Sequence, residues 1–190
     1  MTVYPADIIN RALNLAGCEI TIGDPQDGSR ESQIALRQYT QTVWALLRAS
    51  DHEFSRKAAT LALSGNGAQF GWDFEYVYPA DCLKVRMVVP NNGALNSPIP
   101  TRWDVGANVI GGVMATVIWT NTASASLVYT TSGVTEDFWN PLFTETVVQY
   151  LSASLAPLLS SKDEHGQSKG GPDGYATALK IAGIDVGKDS

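Results

Sequence analysis

Asp73 and Glu75 stand two apart in "FGWDFEYVYPADCLKV", residues 70–85. On a β-strand that spacing puts both carboxylates on one face, and a carboxylate pair is the equipment of glycoside hydrolysis. No apolar pocket is legible around them, so a solvated strand face explains the pair more simply. The histidines offer less. His52 lies between Asp51 and Glu53 in "ASDHEF", but adjacent residues on a helix do not converge, and no second cluster completes a metal's ligand set. A protonated histidine at a helix end, favoured by the dipole, accounts for His52, and His165 falls in a hydrophilic stretch. Cys18 and Cys82 lack metal-like neighbours and read as reduced, buried thiols. No G-x-S-x-G, H-E-x-x-H, P-loop or G-x-G-x-x-G occurs. The chain is therefore expected to carry no catalytic residue, metal or cofactor, and not to be an enzyme.

The same stretch sets Phe70, Trp72, Phe74, Tyr76 and Tyr78 at every second position. In a strand all five rings share one side. Exposed rings on a sheet stack against sugars or bases, but few Lys or Arg accompany these for a nucleic acid. Burying one ring is worth about 1.5–3 kcal/mol, and five exposed rings make an aggregation-prone patch. The five are thus expected to pack the sheet against helices or against a neighbouring subunit, with a carbohydrate-binding strand over 70–78 as the alternative.

The elements that must position these residues follow from periodicity and turn chemistry. Residues 5–16 form a helix opened by Pro5 and Asp7 and stopped by Gly17, with Ile9, Ala12, Leu13 and Ala16 as its apolar stripe. A second helix over 30–50, capped by Ser29 or Ser32, carries Leu36, Tyr39, Val43, Leu46 and Leu47. From 54 to 131 short alternating runs separated by "SGNG", "PNNGALNSP" and "TNTAS" predict an antiparallel meander of hairpins. A third helix over 137–160, capped at Asn140–Pro141, is apolar nearly all round and should be buried, with Pro157 kinking or ending it. Residues 161–190 read as a flexible linker, "SKDEHGQSKGGPDG", and a short helix with Tyr175, Leu179 and Ile181 as apolar contacts. The predicted class is α+β: a bundle of three to four helices with an inserted β-meander.

Composition narrows the partners. The 190 residues are 44% hydrophobic and 17% charged, with net charge −6 and a pI of 4.8. A chain that grips phosphates needs clustered Lys and Arg; an acidic wall instead lets DNA slide past without sticking. "MTVYPADIINRALNLAG" lacks the basic and apolar regions of a signal peptide, and no apolar run reaches a membrane-spanning length. A soluble protein made in a cytoplasm is expected.

Four stretches together resemble the head-to-tail adaptors of short-tailed bacteriophages, the tail tubular protein A family. "ADIINRALNLAGCEITIGDPQDGSRESQIALRQYTQTVWALLR" is similar to that family's opening, with Gly17 between a short helix and a long one ending in Leu46 and Leu47. "ASDHEFSRKAATLAL" keeps Phe54, Arg56 and Lys57 but has Glu53 and Phe54 where Trp-x-Phe is common. "FEYVYPADCLKVRMVV" matches an aromatic strand followed by Pro79, Asp81, Leu83 and Lys84, and "DFWNPLFTETVVQYLSASLAPLL" resembles the third, buried helix. The resemblance covers about residues 6–160; the last thirty residues lack the long charged helix of the family. It implies a structural virion protein at the head–tail junction, assembled in the host cytoplasm. Such a protein forms a ring of itself, typically a dodecamer, beneath the portal protein, carries the tail nozzle protein and, in some tails, a fibre, and extends the channel through which DNA passes unbound. Within that reading Tyr175, Leu179 and Ile181 dock on the portal. The loops holding Asn91, Asn92 and Asn96, and Asn121 and Ser124, face a neighbour or the nozzle.

Overall fold

The computed structural model describes residues 5–91 and 100–159. They fold as mixed α+β and divide into two compact units, Met1–Ser50 with Val134–Ser190, and Asp51–Gly133.

The first unit contains α1 (Pro5–Leu15), α2 (Arg30–Ala49) and α3 (Pro141–Leu159). Helix α1 buries Ile8, Ile9, Ala12 and Leu13 on one side. It stops where Gly17 turns left-handed, at φ +73°. The Cys18 N–H then reaches the Leu13 carbonyl at 2.9 Å and the Gly17 N–H the Asn14 carbonyl at 3.1 Å, the double bond of a Schellman cap. The Asn10 side chain accepts the Ile22 N–H and donates to its carbonyl, both at 2.8 Å, which pins the following loop to α1. Ser29 caps α2 by accepting the Ser32 N–H. Asn140 caps α3 by accepting the Phe143 N–H at 2.7 Å, and Pro141 takes the first turn. Residues 137–140, expected in the helix, belong instead to a 3-10 turn and this cap. Pro157 does not end α3 before Leu159, although its ring nitrogen cannot donate to the carbonyl of Ala153 one turn back. The all-round apolar α3 is covered because it packs on both α1 and α2. Tyr39 of α2 stacks on Trp139, which meets Phe143 edge-on, and the Tyr39 hydroxyl donates to Glu136 at 2.5 Å.

The second unit holds β1 (Arg56–Thr60), β2 (Phe74–Val77), β3 (Cys82–Pro90), β4 (Trp103–Ile110), β5 (Val113–Thr120) and β6 (Ala125–Thr131). They form two antiparallel sheets, ordered β1-β6-β3 and β2-β5-β4. This corrects the expected meander: among the described residues, β4 and β5 are the one pair of consecutive strands hydrogen-bonded to each other, through a two-residue turn in which Gly111 and Gly112 both have positive φ. The other connections pass from one sheet to the other. Crossing lets each sheet bury its apolar face on its counterpart, which a flat meander cannot do alone. Tyr76 and Ile118 from one sheet meet Cys82, Val85, Val88, Ala125, Leu127 and Tyr129 from the other in a single core.

Candidate functional site

The residues with chemical potential gather in the β unit, and the first cluster centres on Asp81. Pro79 and Asp81 form the turn between β2 and β3, where the Cys82 N–H bonds the Pro79 carbonyl. Lys57 on β1 reaches Asp81 Oδ2 at 2.7 Å, Thr131 donates to the same oxygen at 2.8 Å, and the Tyr129 hydroxyl donates to Oδ1 at 3.0 Å. The Lys57 ammonium, and after it the two hydroxyl donors, outweigh burial and hold the Asp81 carboxyl down at about 2. Burial and the nearby carboxylate push the Tyr129 phenol up. All three oxygen–donor partners are taken up by the fold, so Asp81 acts as a brace between strands β1, β6 and the β2–β3 turn.

A second anion is Glu75. The sequence reading put it on a solvated strand face beside Asp73; the structure corrects this, because Glu75 is 1% exposed. It accepts Ser64 Oγ at 2.7 Å, Asn108 Nδ2 at 2.8 Å and Trp119 Nε1 at 2.8 Å. Burial alone would raise its pKa, but these donors together outweigh it and leave the carboxyl below its usual range. Asp73 precedes β2, is exposed, and its N–H donates to Asn121. One carboxylate is sealed and the other is in solvent, so the two are not a catalytic pair. Gly106 is the sequence signal that went unused: a Cβ there would lie 2.2 Å from Trp119 Cη2, and a strand glycine often marks such a close approach.

Arg86 is the third. Its Nη2 donates to the His52 carbonyl at 2.7 Å and to Ser55, and its Nε to Thr130 at 2.9 Å. Asp51 pairs with Lys84 at 3.1 Å. His52 lies beyond the end of α2, at the start of a 3-10 turn, with its ring stacked on Phe54; the helix-end histidine expected from sequence is therefore displaced by one short loop. Among the described residues no group of three His, Cys, Asp or Glu side chains is placed to hold a metal, and no helix is long and apolar enough to cross a membrane.

The aromatic ladder divides. Phe74 and Tyr76 lie in β2, and Phe74, Tyr76 and Tyr78 pack on the β core, Tyr76 at 1% exposure. The Tyr76 hydroxyl also donates to the Thr122 carbonyl and accepts the Ser124 N–H. Phe70 and Trp72 lie outside the strand, contrary to a five-ring face: Phe70 sits at φ +55° in a turn, 81% exposed, its ring edge-on to Trp119, and the Arg102 guanidinium lies over Trp72. Gly71, between the two rings, sits at φ +80° and with Phe70 turns the chain out of the pleat before β2 begins. A sugar platform needs adjacent exposed rings, and of these five only Phe70 is largely exposed.

The loop residues are brought together rather than spread. The Asn91 N–H donates to the Ser124 carbonyl at 2.8 Å, Asn91 accepts Ser126 Oγ, and Ser124 has φ +69°. Asn92, Asn96, Tyr175, Leu179 and Ile181 lie outside the described residues. In the helical unit, α2 presents a shallow hollow of about 500 Å³ lined by Leu36, Thr40, Trp44, Gln33, Arg37 and Gln41. Comparison with protein-family models and with curated proteins finds no match to this chain.

Proposed function

We propose that this chain is a structural adaptor of a short-tailed bacteriophage virion. In this reading a helical bundle with a β insertion assembles into a ring of about twelve copies between portal and nozzle and lets DNA through without binding it. The observation that carries the proposal is the Lys57–Asp81 brace. Lys57 and Asp81 come from two of the separate stretches on which the adaptor resemblance was drawn, and they meet at 2.7 Å. This supports treating those stretches as parts of one motif. The net charge of −6 suits a channel wall past which a polyanion must slide. Of the two carboxylates that could have suggested hydrolysis, Glu75 is consumed by internal donors and Asp73 stands apart from it in solvent.

The test is the mass and shape of the full chain, alone and mixed with purified portal assemblies, by light scattering and negative-stain imaging. A ring, or a monomer that becomes a ring on portals, is the expected result. A chain that stays monomeric and leaves portal assemblies bare refutes the adaptor reading.

A further inference from the structure

We infer that the β4–β5 hairpin presents an apolar face on which a second copy of this chain docks; this deepens the adaptor reading and rests on it. Register fixes the geometry. Tyr76 pairs with Ile118, Ile118 with Val105, and Val109 with Met114. Directly opposed residues share a face of a sheet, and so do residues two apart. Val105, Val109 and Met114 therefore continue the face that, at Tyr76 and Ile118, forms the core. The covered part of that face ends before the hairpin tip: Val109 is 49% and Met114 68% exposed, with Val105 also exposed. On that face Ala107 and Thr116 lie between the pairs, and an extension of a core face that is apolar but for one threonine, left in solvent, marks an interaction surface.

The hairpin is built to offer this face and not its edge. The Val105 N–H is taken by Asp104 Oδ1 and the Val109 N–H by Asn108 Oδ1, both at 2.8 Å, while the Val109 carbonyl accepts Asn66 Nδ2. These groups are unavailable for pairing with another strand, a common protection of sheet edges. The glycine pair at 111–112 holds a tight two-residue turn that matches strand twist, so the arm is preformed.

Charge selects the occupant. Between Asp104 and Glu136 the chain has no Asp, Glu, Lys, Arg or His. Two copies of a chain with net charge −6 repel, and a face without charge is where they approach at least cost. The same absence removes the cations that a nucleic acid or an anionic lipid surface requires, and the three large apolar residues of the extension include no ring on which a sugar could stack. A stable interface engages about 20–30 residues a side, so these three act as its apolar anchor and the flanks supply the remainder.

The experiment is sedimentation of the full chain, with and without purified portal assemblies, comparing wild type with Val109→Asp/Met114→Asp. Val109→Thr/Met114→Gln serves as a milder variant, and far-UV circular dichroism with urea midpoints checks folding. Desolvating a carboxylate in an anchor position is expected to weaken self-association by about 100-fold or more in the Asp variant, and by a smaller factor in the neutral one, with unchanged folding. Folded variants that associate as wild type does overturn the docking face while leaving the ring reading intact. A wild-type closed dimer that the variants abolish supports the docking face and removes the ring. A wild type monomeric in every mixture overturns both. Should the Asp variant fail to fold, the neutral variant decides by the same criteria.

Discussion

Replacing Asp81 by Asn isolates the brace on which the functional proposal leans. In the folded chain the carboxylate accepts Lys57 Nζ, Thr131 Oγ1 and Tyr129 Oη. Its pKa falls from an ordinary 3.8 to about 2, chiefly through Lys57. A folded-state pKa below the unfolded one means that the stabilisation is fully present above about pH 4 and is lost as pH falls through about 2. At about 1.4 kcal/mol per pK step the difference is worth about 2.5 kcal/mol. The side chain is 32% exposed, so solvent screening reduces this to about 1.5 kcal/mol. The amide adds a mismatch, because its NH₂ turns a donor toward groups that themselves donate. Asp81→Asn is therefore expected to lower the unfolding free energy by about 1.5–2.5 kcal/mol at pH 7, read from urea melts. The gap between variant and wild type should narrow between pH 4 and pH 2, as the wild-type carboxyl takes up its proton. A pH 7 loss below about 0.5 kcal/mol, or a gap that does not narrow in acid, refutes the brace.

Two further substitutions test how the elements are held. Gly106→Ala introduces a Cβ 2.2 Å from the Trp119 ring, which must shift and loosen its bond to Glu75; a loss of about 2–3 kcal/mol is expected, with a change in tryptophan fluorescence, and a neutral result would mean the ring is free to move. Asn140→Ala removes the acceptor of the Phe143 N–H at the start of α3 and should cost about 1 kcal/mol in the same melts; Asn140→Asp, which keeps an acceptor, should restore most of it.

Much was legible from local chemistry alone. Pro5 and Gly17 bound α1, Ser29 opens α2, and Asn140 with Pro141 opens α3, because each signal acts within one turn of backbone. The strand content of the middle region and the α+β class followed from period and turn residues. What lay beyond reach depends on distance along the chain. Strand order was not legible, because alternation says which side chains share a face but not which strand comes next to it; the two sheets replace a meander for that reason. The aromatic ladder was over-extended, since period two continues through Phe70 and Trp72 while the backbone there turns at Phe70 and Gly71. Glu75 was misjudged because the three groups that make its burial tolerable, Ser64, Asn108 and Trp119, lie 11, 33 and 44 residues away. A charge's environment is set by such partners, and sequence alone determines the partners' identities without determining that they meet. Only the tertiary structure joined Lys57 to Asp81 and left Val109 and Met114 outside the core that their own sheet face builds.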